Sequence, residues 1–175
     1  MLKNIGDIRL LLLDVDGVLT DGRIIYDHHG VETKAFDVKD GHGIKMVQRA
    51  GIEVGIITGR TSEVVEIRAR ELGITIVHQG ALDKLVPYRR ILAERGLSDA
   101  HVAYVGDDVV DLPILRRVGF AATVADAVDE VKSLVDYVAR RRGGRGAVRE
   151  VCDLLLKGGG AWERITARYF DDNQS

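Results

Sequence analysis

Apolar residues follow two rhythms along this chain. Leu10, Leu11, Leu12 and Leu13 form a short, wholly apolar run that ends at an acidic turn, as a strand buried on both faces does. Similar runs occupy 54–57, 74–77 and 102–105, with further candidates at 120–123 and 137–138. Between them lie helix-length segments whose apolar positions fall three and four apart. In segment 62–72, Val64, Ile67 and Leu72 are predicted to face the core, and Gly73 to stop the helix. Strands alternating with helices predict an α/β fold, a doubly wound, Rossmann-like parallel sheet covered on both faces. In such a sheet the functional site lies at the carboxyl ends of the strands.

One segment breaks the alternation. Residues 23–38 read as a β-hairpin, with arms at 23–26 and 31–38 around the turn Asp27-His28-His29-Gly30. His28 and His29 are taken as turn residues, because no partner at metal-ligand spacing accompanies them. Asp40 is expected to open the next helix. After Lys157, Gly158, Gly159 and Gly160 read as a flexible joint to an amphipathic stretch around Trp162, Ile165 and Phe170. The expected organisation is one domain over 1–157 without a cap domain, a hairpin flap at about 23–38, and a Gly-linked tail over 158–175.

Composition narrows the function. A chain of 175 residues can bury one good core and is short for two. Its net charge of −2 lacks the basic excess of a protein that grips nucleic acid through phosphates. No stretch approaches a membrane span, and the four leucines between Arg9 and Asp14 are too few for a secretory leader. A cytoplasmic protein with neither nucleic-acid nor membrane partners is expected. The single cysteine, Cys152, excludes an internal disulfide, and its apolar neighbours make it a buried structural thiol.

Four polar clusters fall at predicted strand ends: Asp14-Val15-Asp16-Gly17, Thr58-Gly59-Arg60, Lys84, and Gly106-Asp107-Asp108-Val109-Val110-Asp111. Parallel strands would open all four onto one edge. Carboxylates that share a pocket repel one another and need protons or a cation. Asp14 and Asp107, with oxygen donors around them, favour a hard ion such as Mg²⁺ over zinc. An ionised carboxylate is already a nucleophile at neutral pH, which suits Asp14. Asp16, two residues on, is placed to protonate a leaving oxygen and later to activate water. Thr58 supplies a hydroxyl and nearby amides for phosphate oxygens, and Lys84 a charge that screens Asp14 and a phosphoryl group.

In that order, Asp-x-Asp, Thr, Lys and an acidic pair resemble the haloacid dehalogenase superfamily. Asp16 is the residue that its phosphatases keep and its dehalogenases lack. A closer resemblance rests on residues 13–22 (Leu-Asp-Val-Asp-Gly-Val-Leu-Thr-Asp-Gly), Asp37-Val38-Lys39-Asp40-Gly41, and the Gly-Gly-Arg-Gly-Ala-Val-Arg-Glu run at 143–150. These look like the 3-deoxy-D-manno-octulosonate 8-phosphate (KDO 8-phosphate) phosphatase family, over nearly the whole chain up to about Leu156. The resemblance implies magnesium held by the Asp14 and Asp107 side chains and the Asp16 main-chain carbonyl, with Asp108 or Asp111 auxiliary. It implies a small anionic sugar-phosphate substrate, contacted by Asp16, Asp37, Val38, Lys39, Asp40, Gly41, Lys45, Thr58, Gly59, Arg60, Arg68 and Lys84. It also implies a capless homotetramer in which hairpins pack together and neighbours close each site.

Rival readings stay open at this point. Arg68 and Lys45 are equally at home on solvated helix faces. The run Arg140-Arg141-Arg142 is a solvated loop or, through Arg145, an anion contact. A phosphoacceptor signalling module shares the acids, Thr and Lys, but places its nucleophile after the middle strand. An inactive scaffold and a phosphatase for another sugar acid, such as a nonulosonate 9-phosphate, complete the alternatives.

Overall fold

This computed structural model describes residues 5–170. Its elements are β1 (Leu10–Leu13), β2 (Ile25–Tyr26), β3 (Glu32–Thr33), α1 (Val38–Arg49), β4 (Glu53–Ile57), α2 (Glu63–Leu72), β5 (Ile76–His78) and α3 (Leu85–Arg95), followed by β6 (Val102–Val105), α4 (Leu112–Leu115), β7 (Phe120–Thr123), α5 (Asp129–Lys132), β8 (Tyr137–Val138), α6 (Ala147–Gly158) and α7 (Trp162–Thr166). Six strands form one sheet in the order β5-β4-β1-β6-β7-β8, and every pairing is parallel. The order explains the leucine run. With β4 on one side and β6 on the other, all four leucines of β1 are fully buried, so no polar position could be afforded.

The chain leaves β1 toward β4 and β5, then returns through α3 to β6 and moves the other way. Right-handed crossovers place the helices of these two halves on opposite faces. The packing agrees: α1 lies against α2 and α6, while α3 lies against α4. Strand order reverses beside β1, which is where such a sheet opens a crevice for a ligand.

Local structure departs from the sequence reading in five places. On α2 the buried residues are Val65, Ala69 and Leu72, whereas Ile67 is exposed and Val64 half-buried. The buried set is spaced four and three apart and shares one helix face, whereas Ile67 and Leu72, five apart, do not. The strand expected at 74–77 begins at Ile76, because Ile74 is used to close α2: Gly73 turns left-handed and the Ile74 N–H donates to the Ala69 carbonyl at 2.9 Å.

The hairpin is also shorter than its apolar arms. Ile25 pairs with Thr33 and Tyr26 with Glu32, while Val38 already belongs to α1. Asp37 rather than Asp40 opens that helix, its carboxylate accepting from the Lys39 N–H at 2.7 Å. His28 and His29 lie in the turn, where Asp27 accepts from the His29 and Val31 N–H groups.

The glycines after Lys157 are not a flexible joint. Gly158 is the last residue of α6, and a Cβ there would fall 2.1 Å from the Ile5 side chain. Gly159 and Gly160 make a tight turn into α7, which packs back on α6 with Ile165 buried and Phe170 exposed. Residues 171–175 of the expected tail lie outside the described residues. Cys152 is buried on α6, as expected, and its burial pushes the thiol well above its usual range.

Candidate active site

The carboxyl ends of β1, β4 and β6 place Asp14, Thr58 and Asp107 side by side, because the pairing aligns Leu13 with both Ile56 and Val105. Asp14, Asp16, Thr58, Gly59, Arg60, Lys84, Asp107 and Asp108 all line one cleft of about 250 Å³, with Ala81, Leu82 and Val110 completing its wall. A larger groove of about 770 Å³, bordered by Lys39, Arg140 and Arg149, contains none of these groups. Chemistry rather than volume marks the site.

Its centre is a charge cluster with little access to water. Carboxylate oxygens of Asp14, Asp107 and Asp111 lie within 4.8 Å of one another. The Lys84 ammonium bridges two of them, 3.0 Å from Asp14 Oδ2 and 2.6 Å from Asp111 Oδ1. Burial, followed by the charge of Asp111, raises Asp14 to about 6, although Lys84 pulls it down. Burial and then the charges of Asp14, Asp111 and Asp108 raise Asp107 to about 7. Burial alone would lower Lys84, but the two carboxylates outweigh it and hold the ammonium above its usual value.

Of the two further acids, Asp111 rather than Asp108 joins the carboxylate cluster. It is fully buried and accepts from Tyr104 Oη, Lys84 Nζ and the backbone N–H groups of Asp107 and Asp108. That pattern folds the loop after β6 and aims Asp107 at the cleft. Asp108 instead caps the short 3₁₀ turn that follows, accepting from the Val109 N–H.

Glycines set the remaining distances. Gly17 has φ +89°, and a Cβ there would lie 2.0 Å from Asp107 Oδ2. Gly143 backs onto the same loop, where a Cβ would stand 1.8 Å from the Gly17 carbonyl, and the Gly144 N–H donates to the Val18 carbonyl. The Gly-Gly-Arg-Gly motif therefore buttresses the Asp14–Asp16 loop, which the sequence reading did not foresee. Arg145 is exposed and lies 3.6 Å from Asp21.

Two further charges escaped the sequence reading. Lys34 Nζ is 2.5 Å from Asp16 Oδ1, and Glu32 Oε1 is 2.6 Å from Arg60 Nη2. Both come from the hairpin's second arm, where even-numbered positions share a face. That alternation was the available signal.

The remaining predicted contacts lie apart from this cleft. Asp37 caps α1, and Val38 and Lys39 are exposed. Asp40 is buried, with its oxygens accepting from the Gly146 and Arg149 N–H groups at the start of α6; burial raises it to about 6. Within its own chain it ties α1 to the start of α6. Gly41 admits the Arg68 guanidinium, which lies over Phe36 and pairs with Glu71. Lys45 stands beside Gly73. None of this group lines the cleft of its own chain.

The donor set suits a hard divalent ion. Asp14 and Asp107 offer carboxylate oxygens close enough to share one, and among the described residues neither His nor Cys joins the cluster. Fold and cleft together define a class, and residues 65–149 match the haloacid dehalogenase-like hydrolases. The chain is 51% identical over 150 residues to the 3-deoxy-D-manno-octulosonate 8-phosphate phosphatase of Escherichia coli K12, spanning 86% of this chain and 80% of that protein. The crystal structure of the Yersinia pestis phosphatase of the same name superposes with a TM-score of 0.90 at 48% identity, over 91% of this chain and 86% of that one. The Moraxella catarrhalis phosphatase, solved in complex with a magnesium ion, a phosphate ion and a KDO molecule, gives 0.93 at 42% identity, over 95% of each chain. This chain belongs to the 3-deoxy-D-manno-octulosonate 8-phosphate phosphatase family of haloacid dehalogenase-like hydrolases.

Proposed function

We propose that this enzyme is a magnesium-dependent phosphatase that releases phosphate from 3-deoxy-D-manno-octulosonate 8-phosphate, a step toward lipopolysaccharide precursors. The observation that carries the reading is the strand-end cluster of Asp14, Asp107 and Lys84 beside Asp16, in a chain that matches the KDO-bound Moraxella catarrhalis phosphatase over 95% of its length. Bound magnesium would neutralise charge between the carboxylates and the incoming phosphate.

Asp14 attacks phosphorus through one carboxylate oxygen, and the phosphorus–oxygen bond to the sugar breaks. The Asp16 carboxyl gives its proton to the departing sugar oxygen. The resulting Asp16 carboxylate then takes a proton from water as that water attacks the aspartyl-phosphate, releasing phosphate and restoring Asp14. Lys84 holds Asp14 in place and offsets the phosphoryl charge. Arg60 lines the same cleft, where its guanidinium is placed to meet an anionic group of the substrate.

A phosphate-release screen over sugar phosphates with magnesium tests the substrate. KDO 8-phosphate is expected to exceed nonulosonate 9-phosphates and simple hexose phosphates by at least about tenfold in kcat/KM, a margin of about 1.4 kcal/mol. Preference for a nonulosonate 9-phosphate would overturn the assignment.

The catalytic unit is assigned to residues 1–157, in the cytoplasm. Described residues contain no helix long and apolar enough to cross a membrane. We further propose a homotetramer. Ile24, Ile25, Tyr26 and Val31 are four exposed large apolar side chains on one short hairpin. Hairpins packed together would cover them, and the separate group at Asp37–Gly41, Lys45 and Arg68 would then meet the substrate of another subunit. Phe36 packs against the core and is unsuited to probing this. Ile25→Asp with Val31→Asp is expected to yield folded smaller species in light scattering, with activity lowered at least about tenfold. A fully active wild-type monomer at assay concentration would refute the tetramer.

A further inference from the structure

The hairpin has no strand pairing to the main sheet, since β2 and β3 pair only with each other. What ties it to the cleft is a chain of charges. Arg60 Nη2 donates to Glu32 Oε1 at 2.6 Å and approaches Tyr26 Oη at 3.4 Å. Glu32 Oε1 lies 3.4 Å from Lys34 Nζ, which donates to Asp16 Oδ1 at 2.5 Å. Arg60 Nε closes the ring, 3.7 Å from Asp16 Oδ2. Most of the hairpin is exposed, yet the Lys34 side chain is only 1% exposed. A lysine surrenders that much water for a specific partner.

We propose that Lys34 is a positioning residue for the phosphatase reaction. It holds one oxygen of Asp16 and so fixes the direction in which the other points. The flap is thereby a working part of the acid/base apparatus as well as an apolar surface. This inference rests on the phosphatase reading above. The reason for a clamp is geometric: Asp16 follows the strand end on a loop, and an acid/base must be held within a fraction of an ångström of the oxygen it serves. Glu32 and Arg60 hold Lys34 and Asp16 in turn, so the clamp is supported from both sides of the cleft.

The test compares two esters by rapid quench of the first phosphoryl transfer. KDO 8-phosphate has an alkyl leaving group that needs a proton, whereas p-nitrophenolate leaves without one. Lys34→Met is expected to slow transfer from the sugar phosphate at least about tenfold. Transfer from p-nitrophenyl phosphate should stay within about threefold, and Lys34→Arg should recover most of the loss. In an Asp16→Asn background, Lys34→Met should add nothing further, because both changes act through one carboxylate. A general loss of folded enzyme slows both esters alike, so the ester dependence is read separately from stability.

Equal slowing of both esters by well-folded Lys34→Met, a raised KM at unchanged rate, or losses that multiply with those of Asp16→Asn would each overturn the clamp. Wild-type protein inert on both esters would bring down the phosphatase reading and the clamp with it. An active wild type matched by Lys34→Met on both esters would remove the clamp alone.

Discussion

Asp14→Asn is expected to abolish turnover, by about 10⁴-fold or more, in a protein that still folds. The amide is nearly isosteric with the carboxylate and can keep the hydrogen bond that Asp14 Oδ1 accepts from the Val15 N–H at 2.7 Å. It is a poor nucleophile and a weaker ligand for a hard cation. Charge accounting predicts a second signature. Asp14 is held up to about 6 by burial and by Asp111, so near pH 7.5 its negative charge is an electrostatic burden in metal-free protein. Removing it relieves repulsion with Asp107 and Asp111. Asp14→Asn should therefore melt no lower than wild type in chelator, while magnesium should raise its melting temperature less. Residual phosphate release near the wild-type rate, in protein free of contaminating phosphatase, would refute Asp14 as the nucleophile.

Removal of magnesium is expected to have the next largest effect, and it links activity to stability through pH. Excess chelator should eliminate phosphate release and added Mg²⁺ should restore it. In metal-free protein, Asp14 titrates near 6 and Asp107 near 7, against 3.8 for an unperturbed aspartate. Both values are raised, so the folded state binds more protons than the unfolded chain between about pH 4 and 7. The contribution of these groups is therefore most favourable at the acid end and declines as pH rises through that window. Even about 2 kcal/mol of such linkage would lower the melting temperature by roughly 4–8 °C between pH 5 and 8.

Magnesium should oppose that decline, because it binds the ionised carboxylates: its stabilisation should be larger at pH 8 than at pH 5. Asp40 provides an internal control, since it is also raised to about 6 but lies in the α1–α6 interface, away from the cleft. Its share of the pH dependence should persist in saturating magnesium. Calorimetry at several pH values, with chelator or with Mg²⁺, reads both quantities. Activity that survives exhaustive chelation, or a melting temperature that rises from pH 5 to 8 in chelator, would contradict the proposed cluster.

The sequence by itself determined the strands and the chemistry at their ends. An uninterrupted apolar run such as Leu10–Leu13 is stable only where both faces are covered, so its burial followed from the run itself and its parallel pairing from the alternation of strands with helices. Asp14, Thr58 and Asp107 were legible because each follows such a run within two residues, and parallel strands open at one edge. Side chains whose partners lie far along the chain were not legible. Lys34 and Glu32 are unremarkable charges in a hairpin until the flap folds over Asp16 and Arg60. Asp37 and Asp40 lie one turn apart at the start of α1, and only the packing of α1 against α6 sends Asp40 to cap α6 while Asp37 caps α1 itself. Val64 and Val65 both fit a helical period, and the sheet's position selects Val65. The glycines at 158–160 read as flexible because their freedom is intrinsic, yet the Ile5 side chain at Gly158 demands the absent Cβ. Local patterns specify what an element is and which chemistry it carries. Which face it buries, and which distant charge it meets, is decided by tertiary packing, because those energies depend on neighbours that sequence separation does not reveal.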